Sequence, residues 1–94
     1  MITDIQQRSL HRTKIIQGQL KGLEKMIASD SYCMDIMTQS LAIQRSIASL
    51  NKLILEGHLK TNLKDKFSSD VAAEQQEAID ELLGLYELHI RSNQ

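Results

Sequence analysis

Between Asp30 and Lys66 the chain contains no proline and one glycine, Gly57, and its apolar residues recur at the spacing of a helix. Ile36, Ile43 and Leu50 fall seven residues apart, with Ile47 and Ile54 four residues after the last two, the pattern of a coiled-coil seam. Leu41, Ala48 and Leu55 widen the stripe beyond what one partner helix covers, so this helix is expected to pack against more than one neighbour. Gly57 costs on the order of 1 kcal/mol against alanine and does not forbid the helix. At about 1.5 Å per residue, thirty-odd residues predict a rod of roughly 45 to 50 Å.

Shorter helices are predicted on either side. Thr3 followed by Gln6 resembles a capping box, and Ile5, Ile16, Leu20, Leu23 and Ile27 then share one narrow arc. Lys14, Lys21 and Lys25 cluster about 140° away from that arc. This helix should end near "ASDS", where Asp30 or Ser31 can cap the next. Ser68, Ser69 and Asp70 offer caps for a third helix with Ile79, Leu82, Leu83, Tyr86 and Ile90 on one face. Met26, Met34 and Met37, at helical spacing in apolar stretches, read as core. The expected fold is all-α: a three-helix chain, a long antiparallel helical hairpin plus a short C-terminal helix, forming one domain over residues 1–94. A chain of 94 residues buries a modest fraction of its surface, so association into a dimeric four-helix bundle is expected.

No run approaches the roughly 18 apolar residues of a membrane span, and "MITDIQQRSLHRTK" lacks the apolar core of a signal peptide. A cytoplasmic location without membrane contact is expected, where the single cysteine, Cys33, stays reduced. The net charge of −1 conceals a polarity. Residues 8–25 carry Arg8, Arg12, Lys14, Lys21 and Lys25 against Glu24, a balance of +4, whereas residues 68–94 carry six acids against Arg91, a balance of −5. One face suits polyanions and another suits something else. With no paired carboxylates in a cleft-forming context, no Ser-His-Asp arrangement and no glycine-rich phosphate loop, the chain does not read as an enzyme.

Cys33 and His58 stand 25 residues apart, nearly seven whole turns, and so within about 20° of one helical face but roughly 38 Å apart along it. Within one chain they cannot share a ligand. If two copies pack long helix against long helix, antiparallel about a two-fold near Arg45 and Ser46, Cys33 of one meets His58 of the other, and Asn62, one turn further, joins them. Two ordinary readings stand beside this one: Cys33 as a small buried hydrophobe, and His58 as a solvated residue or helix-dipole partner.

Through these positions the chain resembles the copper-sensing operon repressor family of bacterial helical regulators, which also contains nickel/cobalt, formaldehyde and persulfide sensors. The resemblance runs from "HRTKIIQGQLKGLEKMI", with the Gly18-Gln19 pair of the family's basic helix, through "SDSYCMDIMTQSLAIQ" and "LILEGHLKTN" to "AIDELL". Tyr32, Cys33, Asp35 and Ile36 match its Tyr-Cys-x-Asp-Ile signature. The resemblance implies a dimer of hairpins assembling into a dimer-of-dimers tetramer, with a ligand site shared between subunits. In copper-sensing members that site is a cysteine, a histidine and a second cysteine, with a tyrosine and a glutamate beside them. Cys33, His58, Tyr32 and Glu81 match, while Asn62 stands where the second thiolate belongs. Nickel/cobalt sensors carry histidine there and another near the amino terminus, persulfide sensors use two cysteines, and formaldehyde sensors have proline at position 2, where this chain has Ile2. The metal candidates are Cu(I), Ni(II) and Zn(II), held by Cys33, His58 and Asn62. The other candidate is modification of Cys33 by an electrophile or oxidant.

The chain lacks a helix-turn-helix pattern and has only three aromatic residues, which disfavours base stacking. Phosphate contact by basic residues remains. Arg12, Lys14 and Lys21 fall where the family's DNA-contacting helix lies, with Ile15 replacing a basic residue common there, and Lys25 extends the stripe. The expected function is a repressor that binds double-stranded operator DNA and releases it when an effector acts at the intersubunit Cys33/His58 site. A different class, a helical adaptor that does not bind DNA and docks a partner on its acidic third helix, is the alternative.

Overall fold

The computed structural model describes residues 3–92. Its elements are α1 (Thr3–Ala28), α2 (Cys33–His58), a π-helical turn (Leu59–Leu63), α3 (Lys64–Phe67) and α4 (Ala72–Ser92). Among the described residues the fold is all-α, as expected. Helical backbone runs on from Cys33 to Phe67, but the expected single rod is interrupted in register: the Lys64 N–H donates to the Leu59 carbonyl five residues back. The chain forms two compact units, Met1–Gly57 and His58–Gln94.

In the first unit, α1 ends in a left-handed residue. Asp30 adopts φ 52°, its N–H reaches the Ile27 carbonyl at 3.1 Å, and the Ser31 N–H reaches the Met26 carbonyl at 2.9 Å. That pair of bonds is a Schellman closure with Asp30 at the position glycine usually takes. Asp30 and Ser31 therefore finish α1 and do not cap α2 as expected. The Tyr32 carbonyl starts α2, accepting from Asp35 at 3.0 Å and Ile36 at 3.1 Å.

The reversal lays α2 antiparallel to α1. The Gln39 side chain donates to the Gln19 carbonyl at 3.1 Å, and further along the Arg12 guanidinium donates to the Ser49 hydroxyl. Ile16 and Ile43 are buried between these bonds, and Ile5 and Ser9 of α1 and Leu53 and Gly57 of α2 are buried beyond the second. Of the expected α1 arc, Leu23 is half-buried, and Leu20 and Ile27 remain exposed. A helix with one neighbour buries only the stripe in contact. The same holds for α2, where Ile36 and Leu50 are half-buried but Leu41, Ile47 and Ile54 are exposed. Met34 and Met37, expected in the core, are each 59% exposed because they lie outside that contact stripe, and Met26 is half-buried.

In the second unit, Leu63 of the π turn and Ala78 of α4 are fully buried. Ala78 presents only a methyl group, which permits close approach of two helices. Ile79, Leu82, Leu83 and Tyr86, expected to form the packed face of α4, are instead exposed, since α4 has only a short helical stretch opposite it. The side chain of Ile90 lies outside the described residues. The caps also differ from expectation: α4 begins after Val71, whose carbonyl accepts from Glu74 and Gln75. Ser69 orders the turn before it, its hydroxyl accepting from the Val71 N–H at 3.1 Å. Among the described residues no helix is long and apolar enough to cross a membrane.

The left-handed Asp30 makes the hairpin sensitive to side-chain shape. Asp30→Val should lower unfolding free energy by about 1–2 kcal/mol, because a β-branched residue at positive φ is sterically penalised, whereas Asp30→Gly should be neutral or stabilising. Chemical denaturation midpoints distinguish the two.

Candidate functional site

His58 is the last residue of α2 and enters the π turn directly. Its ring is held at both nitrogens. Nε2 lies 2.6 Å from the Glu81 Oε1 carboxylate oxygen, and Nδ1 lies 3.3 Å from the amide Nδ2 of Asn62. An amide NH₂ group only donates, so Nδ1 carries a lone pair and Nε2 carries the proton that Glu81 accepts. The ring is thereby fixed in one tautomer, with Nδ1 as the donor atom available to a ligand.

Glu81 is itself anchored on its other oxygen. Lys66 Nζ lies 3.5 Å from Oε2, and also 3.7 Å from Glu77 Oε2. The hydrogen bond from His58 is the largest influence holding the Glu81 carboxyl below its ordinary range; partial burial opposes it, and electrostatic attraction to His58 and Lys66 adds to it. At 35% exposure for the Glu81 side chain, these ion pairs contribute more to the orientation of His58 than to net stability.

Of the residues singled out in the sequence, His58 at the end of α2, Asn62 of the π turn and Glu81 of α4 stand together. Cys33 is a free, exposed thiol at the first position of α2, with Tyr32, 70% exposed, immediately before it. Among the described residues no three of histidine, cysteine, aspartate and glutamate gather into a metal-holding group. Lys66 was not foreseen; its only signal is a spacing of eight from His58, which a regular α-helix would not place on the same line. Of the basic residues, Lys14, Lys21 and Lys25 are exposed on α1, while Arg12 is half-buried and tied to Ser49. Ile2 lies outside the described residues.

The depressed Glu81 carboxyl fixes the sign of a pH effect. A lowered pKa stabilises the fold above the ordinary value of 4.5, and that contribution is lost as pH falls through the folded-state value. In metal-free protein, Glu81→Gln should melt below wild type at about pH 7, and the gap should shrink as pH is lowered beneath the ordinary carboxylate range. Thermal melts across that range measure it.

Comparison with known proteins agrees with this architecture. The chain is 40% identical over 83 residues to the copper-sensing transcriptional repressor CsoR of Mycobacterium ulcerans, covering 87% of this chain and 68% of that protein. It is 32% identical over 82 residues to CsoR of Bacillus subtilis, covering 87% and 78%. The crystal structure of the copper-sensing repressor CsoR with Cu(I) from Geobacillus thermodenitrificans shares the fold, with a TM-score of 0.73, 24% identity, and coverage of 92% of this chain and 91% of that one. Residues 5–87 match the family described as metal-sensitive transcriptional repressor, whose members are regulators and not enzymes. Hairpin, signature cysteine and oriented histidine thus fall within one matched segment, and the chain belongs to the metal-sensitive transcriptional repressor family.

Proposed function

We propose that this chain is a cytoplasmic repressor that binds double-stranded operator DNA and releases it when an effector acts at a site formed by Cys33 of one subunit with His58 and Asn62 of another. The observation that carries the reading is the fixed His58 ring: a half-buried carboxylate spends one oxygen on orienting an imidazole whose other nitrogen is left with a lone pair. Family membership favours a repressor over a DNA-independent adaptor. Residues 1–94 act as one sensor and DNA-binding domain in a dimer or tetramer of hairpins, with the long helices antiparallel, because Cys33 and His58 occupy opposite ends of α2. The apolar side chains left exposed on α2 supply the surface for that pairing.

The donor chemistry fits a transition metal, with a preference. A cysteine sulfur, the His58 Nδ1 lone pair and the Asn62 amide oxygen make a mixed set that suits Zn(II) or Ni(II), and a poorer set for Cu(I), which selects thiolates. When bound, the metal supplies a bond between donors of two subunits. The chain's own residues do the rest. Glu81 keeps the proton on Nε2, Lys66 holds Glu81, and Asn62 donates to Nδ1 until an effector claims that lone pair. His58 and Lys66 both contact Glu81 of α4, so a change at the His58 ring is passed to α4. A coupling of about 1–3 kcal/mol between this site and the DNA-competent state suffices for release.

The exposure of Cys33 favours a second reading, in which an electrophile such as formaldehyde, or a persulfide, modifies the thiol and no metal is involved. Titration of reduced protein with Cu(I), Ni(II), Zn(II) and formaldehyde, following thiol reactivity and DNA affinity together, separates the two. Cys33→Ala should bind DNA and ignore every effector; normal release by that variant removes Cys33 from the mechanism. Asn62→Cys, which adds the missing thiolate, should raise Cu(I) affinity by at least about tenfold in a competition assay with a Cu(I) chelator.

A further inference from the structure

Arg12 lines two neighbouring depressions on the first unit. The one along the start of α1 also contains Asp4, which pairs with Arg8 at 3.6 Å and offsets its charge. The other lies between the two helices of the hairpin and is lined by Arg12, Ile15 and Ile16 from α1 and by Arg45, Ser46 and Ser49 from α2. No acid lines it. Two arginines, one from each helix, therefore line a trough whose remaining polar side chains are hydroxyls.

The hydroxyls are not equivalent. Ser46 donates its proton to the Ala42 carbonyl at 3.0 Å. Ser49 accepts from the Arg12 guanidinium, so its own O–H remains to be given to a ligand. That bond also holds Arg12 at the trough while leaving other guanidinium N–H groups unused. Paired guanidinium forks and a hydroxyl donor are the chemistry that recognises a phosphate diester. By contrast, Lys14, Lys21 and Lys25 are exposed point charges on α1 alone. Arg45 lies about 120° around α2 from Cys33, one turn after the exposed Leu41.

We infer that Arg45 is a DNA-phosphate ligand, acting with Arg12 and the Ser49 hydroxyl, so that the backbone seat is shared by both helices of the hairpin and is not confined to the basic face of α1. This rests on the repressor reading and names a contact within it. The lysine stripe adds diffuse attraction, whereas the trough holds a particular phosphate.

The test is fluorescence anisotropy of the full chain with a labelled duplex of random sequence across a salt series, using wild type, Arg45→Ala, Arg45→Lys and Lys21→Ala. Arg45→Ala should weaken binding by about fivefold or more at low salt and flatten the salt slope by about one per seat engaged. Arg45→Lys should restore the slope but not the full affinity, because the charge returns without the fork. Lys21→Ala should lose less than Arg45→Ala. Circular dichroism checks that each variant keeps its helices, and Arg45→Lys carries the test if Arg45→Ala does not. Wild-type affinity and slope in Arg45→Ala, full affinity in Arg45→Lys, or a larger loss in Lys21→Ala overturns the inference while the repressor reading stands. A wild-type protein whose duplex binding is weak and insensitive to salt overturns both.

Discussion

The convergence of His58 and Lys66 on one carboxylate depends on a single surplus residue in the helix register. In a regular α-helix, eight residues advance two turns plus about 80°, which would turn His58 and Lys66 away from each other. A turn closed between residues five apart takes up an additional residue, and the π turn at Leu59–Leu63 lies between them. His58 at 2.6 Å and Lys66 at 3.5 Å can then reach opposite oxygens of Glu81. Without that register change, Glu81 could hold the imidazole or the ammonium, and the tautomer of His58 would lose its anchored partner. Burial of Leu63 within the turn offsets the poorer hydrogen bonding of π geometry by removing a large apolar side chain from water.

The helical character of the chain was legible because periodicity and the absence of proline act on every residue alike. Where helices stop and which faces they bury was less legible, since both depend on choices between competing local bonds. Asp30 illustrates the first: an aspartate before a helix ordinarily caps it, but Asp30 also tolerates the left-handed conformation, and closure of α1 used that tolerance. Ala78 illustrates the second. The larger apolar residues of α4 define a stripe by hydrophobicity, yet the residue of α4 that is fully buried is the small Ala78. The π turn itself leaves no mark in composition, since "LKTNL" is as compatible with an α-helix.

For the site, residue identities were more legible than relations among them. Cys33, His58, Asn62, Tyr32 and Glu81 stand out through motif spacing, and His58, Asn62 and Glu81 do meet in space. Lys66 and Arg45 carry no motif. The first is recruited by a change of helical register and the second by the antiparallel hairpin, and both are relations that emerge only when elements are placed. Arg12 shows the converse: its charge marks it as one of the basic residues of α1, but its bond to Ser49 makes it part of a two-helix feature.

The proposed mechanism requires that events at His58 reach the DNA seat, and α2 is the element that carries residues of both. It contributes Arg45 and Ser49 to the trough and ends at His58. Proline-free and helical from Cys33 to His58, it can transmit a shift along its axis, because displacing one end without the other would break several backbone hydrogen bonds. Gln39 to Gln19 and Arg12 to Ser49 are polar ties that hold the hairpin partner to it, beside a narrow apolar stripe. A shift of α2 against α1 would move Arg45 relative to Arg12. Two guanidinium groups grip one phosphate only at a fixed separation, so a small axial shift is enough to weaken the seat without unfolding either helix.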